Sequence, residues 1–150
     1  MPSHVALIVA ITSVKNYRTC SYGLAKYKLS KDVSQTIKWK YYFPVNEQPR
    51  LFASGDLVFI SGKYVVENSD QCVTVTYASI IDNENPNREF DTSDVPTCVP
   101  HCMFSMTVNR KPKELDEFIH FGVESVEYNP VTGTPDVKMQ MTVLYYYYLS

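Results

Sequence analysis

The sequence predicts an all-β protein, a small five-stranded barrel followed by a β-rich C-terminal segment. Three observations predict it. Alternation of apolar and polar residues with period two recurs along most of the chain, the signature of half-buried strands. The composition holds 12 tyrosines and only 5 glycines, and Tyr, Val, Thr and Ile favour pleated surfaces. Finally, a Gly55-Asp56 turn feeds the β-branched run Leu57 to Val66, which Gly62 interrupts, and a short polar loop returns the chain into Cys72 to Ile81. A glycine inside a strand marks a sharp bend, as barrel closure demands.

Each element has its own justification. His4 to Val14 forms a first strand, apolar on both faces, and Cys20 to Leu29 a second, alternating one. Lys31 to Gln35 is a polar turn. Thr36 to Pro44 is the third strand, with Ile37, Trp39, Tyr41 and Phe43 on the core face and Lys38, Lys40 and Tyr42 on the other. Asn46 to Arg50 is a proline-containing connection, and Asp56 to Val66 and Cys72 to Ile81 complete the set. From Asp82 to Pro100 the chain is rich in Asn, Asp, Glu and Pro, the composition of a linker or long loop. The division is therefore a barrel over 1–82, an acidic linker over 83–101 and a C-terminal segment over 102–150. In that segment Met103 to Asn109, Phe118 to Tyr128 and Val137 to Tyr147 pattern as strands, Lys111 to Glu117 as one helical turn, and Pro130 to Pro135 as a turn. These strands either begin a second barrel or extend the first sheet. The last one runs into Tyr145, Tyr146, Tyr147 and Tyr148; an exposed aromatic edge pairs with another chain unless the fold covers it.

Length and composition bound the function classes. The 150 residues suit one compact domain with an appendage, and a net charge of −2 with ordinary apolar content excludes a disordered chain. The apolar run Val5 to Ile11 is too short for a membrane span and lacks the flanks of a signal peptide. The expectation is an intracellular protein, cytoplasmic or nuclear, with no membrane partner and with free thiols at Cys20, Cys72, Cys98 and Cys102. Cys98, His101 and Cys102 have metal-like spacing, but a structural zinc site takes four ligands, and His4, His120, Cys20 and Cys72 are isolated in sequence. No metal and no cofactor are expected. Nor is an enzyme: the histidines are scattered, adjacent strand residues such as His101 and Cys102 point to opposite faces, and Val131-Thr132-Gly133-Thr134 lacks the lysine and spacing of a phosphate loop.

The near-neutral total conceals an asymmetry. Lys15, Arg18, Lys26, Lys28, Lys31, Lys38 and Lys40 stand against the single acid Asp32, interleaved with Tyr17, Tyr22, Tyr27, Trp39, Tyr41 and Tyr42. Tyr22 is in phase with Lys26 and Lys28, and Tyr42 with Lys38 and Lys40. Paired as a hairpin, the two strands present one basic, aromatic stripe. Such a stripe is a ligand face, a protein-interaction surface, or the ordinary solvated side of a half-buried sheet.

Five strands, an interruption between the third and fourth, and the pattern Gly55-Asp56-Leu57-Val58-Phe59-Ile60-Ser61-Gly62-Lys63-Tyr64 resemble the oligonucleotide/oligosaccharide-binding (OB) fold. The nearer likeness is to the single-strand-binding barrels of the replication protein A and telomere-end-binding type. In those, a Gly-Asp turn opens the fourth strand and a glycine lets it bend across the barrel; Gly55-Asp56 and Gly62 match these places. The resemblance covers residues 4–82. One departure stands out: the usual helix between strands three and four has no room in Pro44 to Ser54, which holds two prolines, and this keeps a β-sandwich open as the other arrangement. The resemblance implies a Greek-key OB-like barrel that binds single-stranded nucleic acid without catalysis and with weak sequence selectivity. Lys26, Lys28, Lys38 and Lys40 would contact phosphates, and Tyr22 and Tyr42 would stack on bases. The alternative from the residues is a structural protein that joins through its sheet edges into a filament or coat, with Tyr145 to Tyr148 as assembly residues. A third reading is docking of an acidic partner peptide on the basic strands. Expected partners are thus single-stranded nucleic acid, with a homo-oligomer or protein partner through the sheet edges.

Overall fold

The computed structural model describes residues 3–49, 51–82 and 95–146. Among them lie nine strands and no helix: β1 (His4–Asn16), β2 (Cys20–Ser30), β3 (Val33–Tyr42), β4 (Leu57–Glu67), β5 (Asp70–Asp82), β6 (His101–Met103), β7 (Thr107–Leu115), β8 (Phe118–Asn129) and β9 (Thr134–Tyr146). No described helix is therefore long and apolar enough to cross a membrane. The all-β class expected from the alternation is the class observed, with a closed five-stranded barrel and further strands.

The first sheet runs β2-β3-β5-β4-β1-β6, and pairing of β1 with β2 closes its first five strands into the barrel. Its pairs are antiparallel except β3 with β5, which run parallel. Inward-facing residues alternate along each strand: Val5, Leu7, Val9 and Ile11 of β1, Ala25 and Tyr27 of β2, Ile37 and Trp39 of β3, Val58 and Ile60 of β4, Val73 and Val75 of β5. Each large side chain buried this way contributes about 1.5–3 kcal/mol of transfer free energy. The connection from β3 to β4 inserts Phe52 into this core, its ring edge-on to Trp39 at 5.4 Å between centroids. One aromatic side chain thus packs under the barrel in the stretch where the OB resemblance would imply a helix.

Closure requires β1 to serve two neighbours. His4 to Ala10 pair with β4, and Ala10 to Asn16 pair with β2. A bulge between Ile11 and Ser13 turns the strand between these duties, and Gly23 of β2 lies where a Cβ would sit 1.9 Å from the Ser13 carbonyl oxygen. The same device recurs on β4, where the ladder shifts at Ser61/Gly62 and a Cβ on Gly62 would meet the Thr74 carbonyl oxygen at 1.9 Å. The Gly55-Asp56 turn is held to the middle of β1. Gly55, at a φ of 95°, donates its N–H to the Ile11 carbonyl at 2.8 Å, and Ile11 donates to the Asp56 carbonyl at 2.9 Å.

Beyond Ala10 and Lys26 the ladder between β1 and β2 ends, and residues 97–103 run along the edges left open. Cys98 donates its N–H to the Lys28 carbonyl at 2.8 Å, Thr97 bridges Lys28, and β6 pairs with His4 to Ala6. Val95 is buried and Cys98 packs against the barrel core. Of the stretch 83–101 read from composition as a linker, residues 83–94 lie outside the described residues, and the remainder follows the barrel seam.

The last three strands form a separate antiparallel sheet, β7-β8-β9. The helical turn expected over Lys111 to Glu117 is not there: β7 continues to Leu115, and Asp116, at a φ of 51°, turns the chain into β8. Pro112 is accommodated because β7 is an edge strand with a break in its ladder nearby. This sheet docks on the outside of the barrel. Val65 and Cys72, opposite each other on β4 and β5, point away from the barrel interior and yet are each 1% exposed. Val137 and Met139 cover Val65, with Val66 and Met106 alongside. At the polar margin Lys63 pairs with the buried Glu127 carboxylate at 3.3 Å, and that carboxylate accepts the Ser3 N–H at 3.2 Å.

The two kinds of glycine make opposite demands. Gly62→Ala forces a Cβ into backbone and is expected to destabilise the protein by about 3 kcal/mol or more. Gly133→Ala meets no atom within 4 Å, so its only strain is its φ of 75°, a cost of about 1–2 kcal/mol. Urea unfolding of the two variants tests the ordering.

Candidate functional site

The register of the β2–β3 hairpin decides which side chains share its outer face. Cys20 lies opposite Tyr42, Tyr22 opposite Lys40, Leu24 opposite Lys38, Lys26 opposite Thr36 and Lys28 opposite Ser34. Directly opposed residues lie on one face. Tyr22, Lys26 and Lys28 of β2 therefore share the outer face with Lys38, Lys40 and Tyr42 of β3, while Trp39 and Ile37 point inward and are buried. Tyr41 and Phe43, expected on the core face, are half-buried, and Tyr41 packs on Phe52 at 5.9 Å.

Within that face the six side chains have different surroundings. Lys26 is exposed near the far end, and Lys28 is half-buried beside the Thr97 bridge. Lys38 donates to Asp70 Oδ2 at 2.7 Å, a partner delivered by the parallel β3–β5 pairing, and this bond raises its pKa above the usual lysine value. Lys40 lies 4.9 Å from the centroid of the Tyr42 ring and donates to the Pro130 carbonyl at 3.3 Å. Its hydrogen bond with Tyr42 is the main cause that raises its pKa. The Tyr42 hydroxyl donates to the same Pro130 oxygen at 3.4 Å. One end of the stripe is thus engaged by the turn between β8 and β9. Tyr22 stacks on Tyr17, with centroids 5.4 Å apart and planes 9° from parallel, and the hydroxyls meet at 3.2 Å. That hydrogen bond raises the Tyr17 pKa.

The β8–β9 turn also roofs a cleft of about 380 Å³ against the outer face. Lys15, Tyr22, Leu24 and Lys38 line it from the barrel, and Val131 and Thr132 from the turn. The turn is well tied. Asn129, fully buried, accepts the Val131 N–H on Oδ1 at 3.1 Å and the Gly133 N–H on its carbonyl at 2.8 Å. Sequence reasoning missed Lys15, Leu24, Val131 and Thr132 as site residues, and Tyr17 as a stacking ring. The short turn from β1 into β2 places Tyr17 beside Tyr22, but no local signal announces that the β8–β9 turn would lie over the barrel.

The assembly residues sit elsewhere. Tyr145 and Tyr146 end β9, opposite Ile119 and Phe118, and are 60% and 61% exposed; Tyr147 and Tyr148 lie outside the described residues. Among the described strands β9 pairs with β8 alone. The four cysteines are free, and burial raises the Cys72 thiol pKa. Among the described residues no three His, Cys, Asp or Glu side chains converge as metal ligands would. The chain matches no protein-family model and no curated protein.

Because Lys38 and Asp70 are both largely solvated, the pair stabilises the fold little. Asp70→Asn is expected to change stability by less than about 1 kcal/mol while returning the Lys38 pKa towards its ordinary value. The raised pKa means the stabilisation is complete below the unfolded value and lost as pH rises through the folded one. An NMR titration of the lysine side chains, alkaline limb included, reads the shift.

Proposed function

We propose that the outer face of β2 and β3 binds single-stranded nucleic acid without catalysis, in the manner of an OB-like barrel. The observation that carries the reading is the hairpin register, which gathers Lys26, Lys28, Lys38, Lys40, Tyr22 and Tyr42 on one face. The closed five-stranded barrel, its Gly55-Asp56 turn and the glycine-bent β4 support it, as features the resemblance implies. Cations along a strand pair track phosphates, and an aromatic ring stacks on any base, each stack contributing about 1–3 kcal/mol. Such interactions read no sequence, so selectivity is weak and salt dependence is strong. The Lys38–Asp70 pair does not oppose binding much, since an exposed ion pair is exchanged at small cost.

The test is fluorescence anisotropy of a labelled, mixed-sequence single strand at low and moderate salt. Binding is expected to weaken steeply with salt and to survive a change of sequence. Lys38→Glu with Lys40→Glu should weaken affinity at least tenfold and reduce the salt slope by about 1.4, that is about 0.7 for each phosphate left unneutralised. Unchanged affinity in the double variant would remove this face.

A second reading, self-assembly through sheet edges, rests on a separate observation: β9 is a long edge strand whose exposed Leu144, Tyr145 and Tyr146 lie at its end. Deleting residues 145–150 separates the two roles. Loss of an oligomer with affinity retained favours nucleic-acid binding as the primary role. Loss of a filament by a chain that never bound a strand favours assembly.

A further inference from the structure

We propose that the cleft between the barrel and the β8–β9 turn is a pocket for a single nucleotide unit of the bound strand, so that the C-terminal sheet completes the site. This rests on the binding role proposed above and specifies where a base is held and by what.

Four features point to this occupant. The cleft, at about 380 Å³, falls at the small end of ligand pockets, about 300–1,000 Å³, which suits one base and its sugar rather than a run of them. Its walls combine an aromatic ring and apolar side chains, Tyr22, Leu24 and Val131, with two lysines, Lys15 and Lys38, the second of which holds its ammonium on Asp70 at 2.7 Å. A planar base with phosphates on either side has that same mixture of chemistry. Tyr22 is already stacked on Tyr17, so a base against Tyr22 extends an ordered stack and the ring loses little freedom on binding. The roof adds a polar residue, because Thr132 lines the cleft and its hydroxyl, 2.9 Å from that of Thr134, can donate or accept at a base edge.

The roof is also fixed in place. Pro130 accepts from both Lys40 and Tyr42, Asn129 Nδ2 donates to Glu67 at 3.5 Å, and Glu127 pairs with Lys63 beneath. The same bonds divide the sequence-predicted stripe. Tyr42 carries the Lys40 ammonium on its ring and the turn on its hydroxyl, whereas Tyr22 lines the cleft. Tyr22 is therefore the base platform of the pair, and a strand approaches from the side of Tyr17 and Lys15.

The experiment uses the whole chain and a single strand carrying one 4-thiothymidine. Ultraviolet crosslinking joins the base to residues it touches, and peptide mapping identifies them. Crosslinks are expected at Tyr22 and within residues 130–134. In parallel, anisotropy measures Val131→Glu, Tyr22→Ala and Tyr42→Ala, with circular dichroism and melting to check folding. Val131→Glu and Tyr22→Ala should each lose tenfold or more in affinity, and Tyr42→Ala less than threefold. Should Val131→Glu not fold, the crosslinks on the unaltered chain decide. Full affinity in Val131→Glu, or crosslinks that spare the turn, would overturn the pocket and leave the outer face as the binding surface. Absence of any binding by the unaltered chain would overturn both.

Discussion

The fold depends on one demand: β1 must pair with β4 along its first half and β2 along its second. A flat strand cannot do this. Coiling brings backbones so close at two crossings that no Cβ fits, and Gly23 and Gly62 stand at those crossings, each opposite an irregular ladder. Once these crossings are fixed, the register of the β2–β3 hairpin has no freedom to slip, since a shift by one residue would turn Trp39 out and Lys38 in. The chemistry of the outer face is in that sense set by backbone packing at these two crossings.

The docked sheet uses a different logic. Its apolar contact with the barrel is small, Val137 and Met139 over Val65, and non-polar packing alone would fix its position loosely. The polar contacts fix it. Glu127 is 8% exposed and draws on both Lys63 and the Ser3 N–H. A buried pair of this kind adds little net stability but strongly penalises arrangements in which its charges are unpaired. The result is a turn held over the basic strands by groups that stand on three different parts of the chain.

Legibility in the sequence followed the range of the interaction. The inward phase of Trp39 and Ile37, the outward phase of Lys38 and Lys40, the Gly55-Asp56 turn and the bend at Gly62 were readable because each is set by neighbours a few residues away. The pairing of Lys38 with Asp70 was not, as it depends on the parallel register of β3 and β5. Neither was the path of residues 95–103 along the seam, where Val95 and Cys98 are single apolar residues among prolines and carry no period. The helical turn expected over Lys111 to Glu117 failed for a related reason. Its charges suit a helix surface equally well, and strand pairing with β8 overrides a weak local preference. In the candidate site, the barrel half was visible in the phases of Tyr22 and the lysines. The half contributed by Val131 and Thr132 was hidden, because contact between segments so far apart in the chain leaves no mark on either.

Trp39 is the only tryptophan, 1% exposed and edge-on to Phe52 inside the barrel. The docked sheet has no tryptophan; its described chromophores include Tyr128, Tyr145 and Tyr146, all more than half exposed. The two parts therefore carry separate optical labels. Emission excited at the red edge of the indole band follows the barrel core alone, whereas far-ultraviolet dichroism follows both sheets. Comparing the two signals during unfolding distinguishes a chain that melts as one cooperative unit from one whose outer sheet detaches first.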